Sequence, residues 1–137
     1  MSYRRLTVWP VLLLVAMAAP ALAAGLDCKN AETQADLNLC AAKDLQDADQ
    51  ELGRVNKALA KELRDPAAKT ALEQAAKAWD EYRDAECKFE SSGVAGGSAE
   101  QMVVAYCQAQ RARTRTTVLK RILNCKEGDL TCPALKR

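Results

Sequence analysis

Apolar positions along the chain recur at intervals of three and four residues, and this spacing predicts three amphipathic helices. The helices are expected at about residues 33–64, 66–90 and 98–124. The face expected for the first comprises Leu37, Ala41, Leu45, Ala48, Leu52, Val55, Leu59 and Leu63. The face expected for the third comprises Val104, Cys107, Thr114, Val118, Ile122 and Cys125. No segment alternates as a strand does, so the predicted fold class is all-α.

The second predicted helix carries Trp79, Tyr82 and Phe89 on one face, together with Leu72 and Glu86. Aromatic side chains contribute the largest apolar areas to small cores. This helix is therefore expected to be the central packing element.

Local signals place the ends of these helices. Thr33 and Asp65 are suitable N-cap residues, and Pro66 follows at a first helical position, where its missing N–H costs nothing. Ser98, with Gln101 three residues later, predicts a capping box for the third helix.

The connections predict the topology. The short turn before Pro66 makes the first two helices antiparallel, and the small residues of 91–97 predict a flexible loop before the third helix. Residues 25–137 are thus expected to form a single domain, an up-down-up antiparallel bundle stapled by disulfides. Its Cys-rich tail, 125–137, is expected to turn between two cysteines and then fray.

Residues 1–24 have the pattern of a cleaved signal peptide. Arg4 and Arg5 precede an apolar run, and Ala21-Leu22-Ala23 offers a cleavage site. The apolar run is short for a membrane span. A lipoprotein needs a small residue directly before its first cysteine, but Gly25-Leu26-Asp27 precedes Cys28 here. We expect a periplasmic or secreted protein with no membrane span or lipid anchor.

Charge argues against a nucleic-acid partner. Without residues 1–24 the chain has 18 basic and 18 acidic residues. Residues 27–90 carry a net charge of −5 and residues 91–137 a net charge of +5. A domain that is neutral overall lacks the excess of basic residues that phosphate backbones require.

Six cysteines in an exported chain predict disulfides, which can pair in 15 ways. Cys125–Cys132 closes a short turn and is expected. Cys40 and Cys87 are at similar distances from the turn at Asp65, which favours Cys40–Cys87, with Cys28 reaching Cys107. Cys28–Cys87 with Cys40–Cys107 is the alternative. A zinc site is disfavoured because the chain has no histidine and no Cys-x₂₋₄-Cys pair.

The sequence predicts a binding protein without catalytic, cofactor or metal residues. It has no histidine base, its cysteines are expected to be oxidised, and no glycine-rich phosphate loop follows a strand. Two candidate partner surfaces remain. One is the acidic side of the first helix, with Asp44, Asp47 and Asp49. The other is loop 91–97, with Ser92 and Gly93.

Several motifs resemble one family. They are Cys28, Thr33–Cys40 (TQADLNLC), Asp49, Leu52, Trp79, Tyr82-Arg83-Asp84, Cys87, Tyr106-Cys107, Arg115 and Leu119. In this pattern residues 28–123 resemble the small exported domain, otherwise of unknown function, at the N-terminus of LprI-like lysozyme inhibitors. Departures are Gly53 where such domains usually carry Asn, Asn56 where an aromatic is usual, and Ala112 where Thr is usual. Cys125 and Cys132 are additions.

The resemblance implies a helical, disulfide-bonded fold and an exported lysozyme inhibitor that binds and occludes a muramidase. Vertebrate-type lysozymes are basic, which gives the acidic half of the chain a reason to dock. We expect Arg83 or Asp84 to pair with Arg115 or with the first helix, fixing helix register. The alternative function is a non-catalytic cell-envelope adaptor, and the protein is expected to be a monomer or a dimer.

Overall fold

The computed structural model describes residues 26–126 and 128–135, and this part of the chain is all-α. Helix α1 spans Gln34–Glu62, α2 spans Pro66–Glu90 and α3 spans Glu100–Leu123. A short 3₁₀ helix, Ser91–Val94, follows α2. The predicted fold class is confirmed, and each helix end falls within two residues of its predicted place. The predicted signal peptide, 1–24, lies outside the described residues.

Two of the three predicted caps are confirmed. The Thr33 hydroxyl accepts a hydrogen bond from the Asp36 N–H at 3.1 Å, and the Asp65 carboxylate accepts one from the Ala67 N–H at 2.9 Å. The capping box of Ser98 is wrong, because α3 begins after Ala99 and no side chain caps it. Glu100 instead reaches back to accept a hydrogen bond from the Gly96 N–H at 2.7 Å.

Helices α1 and α3 form the closest helix pair. Alanines of both helices are buried at this contact, and their small side chains let two helix backbones approach closely. The buried alanines are Ala41 and Ala48 on α1 and Ala105, Ala109 and Ala112 on α3. The two helices are parallel, since contacts join their first turns through Gln34 and Met102 and later turns through Glu51 and Lys120.

The buried face of α1 is the predicted one, but that of α3 is not. Helix α3 buries Ala105, Ala109, Ala112, Thr116 and Leu119, whereas Thr114 is exposed. The predicted face included Val104, Cys107 and Val118, which are partly buried, and left out Leu119, which is buried. The face with the alanines is the buried one because small side chains allow α3 to pack close to α1.

Helix α2 lies at the side of this pair, so the prediction that it is the central packing element is wrong. Its one fully buried residue is Cys87, and Trp79 is half-buried against the core. Tyr82 is 54% exposed and Phe89 is 77% exposed. Because α1 and α3 pack closely against each other, α2 contributes few buried side chains to the core.

The structure pairs Cys28 with Cys40, Cys87 with Cys107, and Cys125 with Cys132. The third pairing is confirmed, and both predicted pairings of the other four cysteines are wrong. Cys28 folds back onto the first turns of α1, while the end of α2 faces α3. Equal distances from a turn therefore did not bring Cys40 to Cys87.

The C-terminal segment is docked as far as Leu135, contrary to the expected fraying. Leu63 and Leu135 form an isolated antiparallel bridge, and the Arg64 N–H donates to the Ala134 carbonyl at 3.2 Å. Leu135 is 8% exposed and belongs to the core cluster. Within residues 26–126 and 128–135, none of the helices has the length and apolarity that a membrane span requires.

Candidate functional site

The connection between α2 and α3 is an ordered series of turns, where the sequence predicted a flexible loop. The Ala95 N–H donates to the Ser92 carbonyl at 3.4 Å, and the Gly97 N–H donates to the Val94 carbonyl at 3.0 Å. Gly96 has φ +75°, a conformation that favours glycine. We call residues 91–99 the α2–α3 loop. Small residues make these tight turns feasible.

All three helices hold this loop. The Cys87–Cys107 disulfide joins α2 to α3 beside its base. The Asn38 side chain of α1 donates to the Ser98 carbonyl at 3.0 Å. Ser91 is buried and its hydroxyl donates to the Lys88 carbonyl at 3.2 Å. The predicted contact residues Ser92 and Gly93 are thereby exposed on a supported loop.

Next to the loop, α2 exposes two aromatic side chains that sequence reasoning had assigned to the core. Tyr82 and Phe89 are seven residues apart, so both lie on the same side of the helix. A hydrogen bond with the Glu86 carboxylate raises the pKa of Tyr82. Periodicity showed that they share a face, but it could not show whether another helix covers that face.

This end of α2 is also acidic. Residues 80–90 contain five acidic and two basic side chains. Arg111 of α3 pairs with Glu90 and, at 3.5 Å, with Glu86. We call the exposed Tyr82 and Phe89 with these neighbouring acids the aromatic strip. Exposed aromatic groups beside charged ones are common at protein–protein contacts.

The candidate acids of α1 lie in ion pairs. Asp44 pairs with Arg113 of α3, and Asp49 pairs with Arg83 of α2 at 2.8 Å. Asp47 pairs with Lys43 of its own helix, also at 2.8 Å. Each of these acids therefore has a different partner, and the ion pairs of Asp44 and Asp49 connect α1 to another helix. Asp47 has the most exposed side chain of the three.

Arg83 links several motif residues. Its guanidinium is within 4 Å of Asp49, Asp80 and Asp84, and it lies 5.0 Å from the centre of the Trp79 ring. The expectation that Arg83 or Asp84 pairs with the first helix is confirmed by Arg83 and Asp49. Asp84 also accepts a hydrogen bond from Gln108 of α3 at 2.9 Å. These contacts fix the position of α2 against both other helices.

A groove of about 270 Å³ opens beside this ion pair and is lined by residues of all three helices. We call it the Trp79 groove. It is lined by Asp49, Gly53, Asn56, Trp79, Arg83 and Arg115, among others. Arg115 makes no ion pair with any residue the structure describes, and the buried Oδ1 atom of Asn56 has no hydrogen-bond partner there. Sequence reasoning found most of these residues as motif members but did not predict the groove.

The described part of the chain holds no group of three or more Cys, Asp or Glu side chains that could bind a metal ion. Its distinctive surfaces are the α2–α3 loop, the aromatic strip and the Trp79 groove. Each offers shape, charge or hydrogen-bonding groups to a bound molecule.

Comparison with known proteins places this arrangement in context. The family model described as lysozyme inhibitor LprI matches residues 27–119. The uncharacterized protein R02472 of Rhizobium meliloti (strain 1021) is 38% identical over 114 residues, covering 74% of this chain and 82% of that protein. No solved structure matches the chain. The matched region contains α1, α2 and α3 as far as Leu119, the Cys28–Cys40 and Cys87–Cys107 disulfides and the Trp79 groove.

Proposed function

This chain belongs to the LprI lysozyme inhibitor family, and on that premise we propose that it binds a muramidase and occludes its cleft. The family and the three disulfides indicate a protein that works outside the cytoplasm. The proposed contact surface is the α2–α3 loop together with the aromatic strip.

The observation that carries this choice of surface is the support of the loop by all three helices. The disulfide and the Asn38 hydrogen bond hold Ser92 and Gly93 at an exposed position. A loop held in this way loses little conformational entropy on binding, which favours affinity. Small side chains also leave it slim enough to enter a cleft.

The aromatic strip supplies the apolar contact that such a complex needs. Phe89 is 77% exposed, two residues before the 3₁₀ helix that starts the loop. Aromatic side chains are frequent energetic anchors of interfaces. The acids around it complement a basic muramidase, which favours fast association and partner choice.

The test measures the lysis of bacterial cell walls by a c-type lysozyme. The turbidity of the cell-wall suspension is recorded while increasing amounts of the protein are added. We expect protection that saturates near one inhibitor per enzyme. Phe89→Ala weakens it by tenfold or more, on the order of the effect of an interface anchor. Leu130→Ala is the matched control, because Leu130 is 99% exposed but lies in the C-terminal segment.

Gly93→Arg tests the loop itself. A Cβ at Gly93 meets no atom within 4 Å, so the fold accepts a side chain there while the loop tip becomes bulkier. We expect this variant to keep its helix content and lose protection. Equal protection by Gly93→Arg, Phe89→Ala and the unchanged protein would reject the proposed surface.

The acids of α1 remain a second proposed surface. Reversing Asp44 or Asp49 breaks an ion pair between helices, so Asp47→Lys is the cleaner test. Loss of protection in Asp47→Lys, with an unchanged melting temperature, would move the contact to α1. No protection by any variant or by the unchanged protein, at large excess, would favour the cell-envelope adaptor.

A further inference from the structure

We infer that the Trp79 groove is a binding site for an uncharged saccharide of one or two rings. The groove is lined by residues of α1, of α2 and by Arg115 of α3, and its lining does not include the α2–α3 loop, Tyr82 or Phe89. Its groups call for a ligand that donates and accepts hydrogen bonds and that also has an apolar side. The inference does not depend on lysozyme inhibition.

Asn56 supplies the first requirement. Its side-chain Oδ1 atom is buried and has no hydrogen-bond partner among the described residues. A buried acceptor without a donor is costly, so native proteins nearly always satisfy it with a protein group, a water or a ligand. A hydroxyl group in the groove would supply the missing donor once the Asn56 amide turns toward it.

Arg115 supplies the second requirement. It is half-buried at the groove and makes no ion pair with a described residue. Its guanidinium has five N–H donors in a fixed planar arrangement and needs acceptors. The ring and hydroxyl oxygens of a sugar are such acceptors.

The charge balance of the groove favours an uncharged ligand. The lining includes Arg83 and Arg115 together with Asp49 and Asp80, so two positive groups accompany two negative ones. Asp49 is already bound to Arg83 at 2.8 Å. An anion would be attracted by Arg115 but repelled by the carboxylates of Asp49 and Asp80. Hydroxyl groups, by contrast, can donate hydrogen bonds to the carboxylates and accept them from Arg115.

The wall and size of the groove agree with a small sugar. Trp79, Leu52 and Ala76 line it with apolar surface, against which the carbon side of a sugar ring can pack. Its volume of about 270 Å³ lies just below the usual range of small-molecule sites, roughly 300–1,000 Å³. A Cβ at Gly53 would meet nothing within 4 Å, so the space beside this position is open.

The test uses tryptophan fluorescence of the full chain carrying Trp9→Phe, which leaves Trp79 as its single tryptophan. N-acetylglucosamine and glucose are titrated, with sodium acetate and alanine as charged comparisons. We expect a saturable change with at least one sugar and none with acetate or alanine. Backbone amide NMR shifts of Gly53 and the Trp79 indole shift provide a second readout.

Variants locate the binding. Arg115→Gln and Asn56→Leu each remove one hydrogen-bonding group, and we expect about tenfold weaker sugar binding from each. Gly53→Phe fills the groove and abolishes binding. Arg121→Gln is the matched control, since Arg121 is exposed on the same helix without an ion pair to a described residue, and its binding stays unchanged. Far-UV circular dichroism checks that each variant is folded.

Two outcomes overturn the inference. One is the absence of any saturable fluorescence or NMR change with both sugars. The other is binding of acetate or alanine in place of sugar, which would make the ligand a charged molecule. No muramidase is present in this assay, so its result is independent of the turbidity test.

Discussion

Arg83 on α2 and Asp49 on α1 form an ion pair, with Nη1 2.8 Å from Oδ1, at the edge of the Trp79 groove. The Arg83 side chain is only 12% exposed. Two further carboxylates, those of Asp80 and Asp84, also lie within 4 Å of it. This contact holds α2 against a helix with which it shares little close backbone packing. It is the clearest structural role of the Trp-x-x-Tyr-Arg-Asp motif.

Arg83→Met is expected to lower the free energy of unfolding by about 1–2 kcal/mol, less than for a fully buried pair because Asp49 remains partly hydrated. Urea unfolding of Arg83→Met, Asp49→Asn and the double variant measures the coupling between the two side chains. The exposed pair Lys43–Asp47 is the matched control, and its removal should change stability by less than about 0.5 kcal/mol. Equal effects of the two pairs would contradict the role given to Arg83.

The docked C-terminal segment makes a prediction about two leucines. Leu135→Ala should cost about 2–3 kcal/mol, since a buried leucine loses its packing in a core that cannot fully close. Leu130→Ala should stay within about 0.5 kcal/mol, because that side chain is 99% exposed. Thermal unfolding of both variants measures these two changes in stability. A similar melting temperature for the two would mean that Leu135 is not part of the core.

Two glycines should respond to alanine in opposite ways. Gly53 lies inside α1 with open space at its Cβ position, so Gly53→Ala should stabilise the protein by about 0.5–1 kcal/mol. Gly96 has φ +75°, and Gly96→Ala should destabilise it by about 1 kcal/mol or more. Denaturant midpoints of the two variants should therefore move in opposite directions. Movement in the same direction would contradict the backbone conformation at one of these sites.

The acid side of the stability profile should depend on Glu51. A hydrogen bond from Lys120 lowers the pKa of Glu51 below its ordinary value of 4.5, and the Arg54 charge adds to this. The folded state therefore holds its proton less tightly than the unfolded chain does. The resulting stability is fully present above pH 4.5 and is lost as the pH falls through the lower pKa of the folded state.

Glu51→Gln should accordingly weaken the loss of stability between neutral and acidic pH. Melting temperatures measured from pH 7 down to pH 3 give the comparison. Glu73→Gln is the matched control, because Glu73 is an exposed glutamate of α2 without an ion pair to a described residue. An acid limb that is as steep in Glu51→Gln as in the unchanged protein would contradict the prediction.

The aromatic strip shows where sequence reasoning stops. Tyr82 and Phe89 follow the helical spacing of Trp79, and nothing in that spacing distinguishes a covered face from an open one. Their exposure is a consequence of how α1 and α3 pack, which involves alanines from distant parts of the chain. Similarly, the groove appears only when Gly53 and Asn56 of α1 meet Arg115 of α3.

The sequence by itself determined the number and limits of the helices, the caps at Thr33 and Asp65, the apolar face of α1 and the Cys125–Cys132 bridge. Each of these depends on residues close together in the chain, and local spacing and backbone preferences are enough to specify them. Tertiary structure alone decided that α3 packs against α1 along alanines, that Cys28 pairs with Cys40 and Cys87 with Cys107, and that Leu135 joins the core. These outcomes depend on which helix faces come within reach of one another. Small side chains decide that contact through close approach, which a pattern of apolar residues does not reveal.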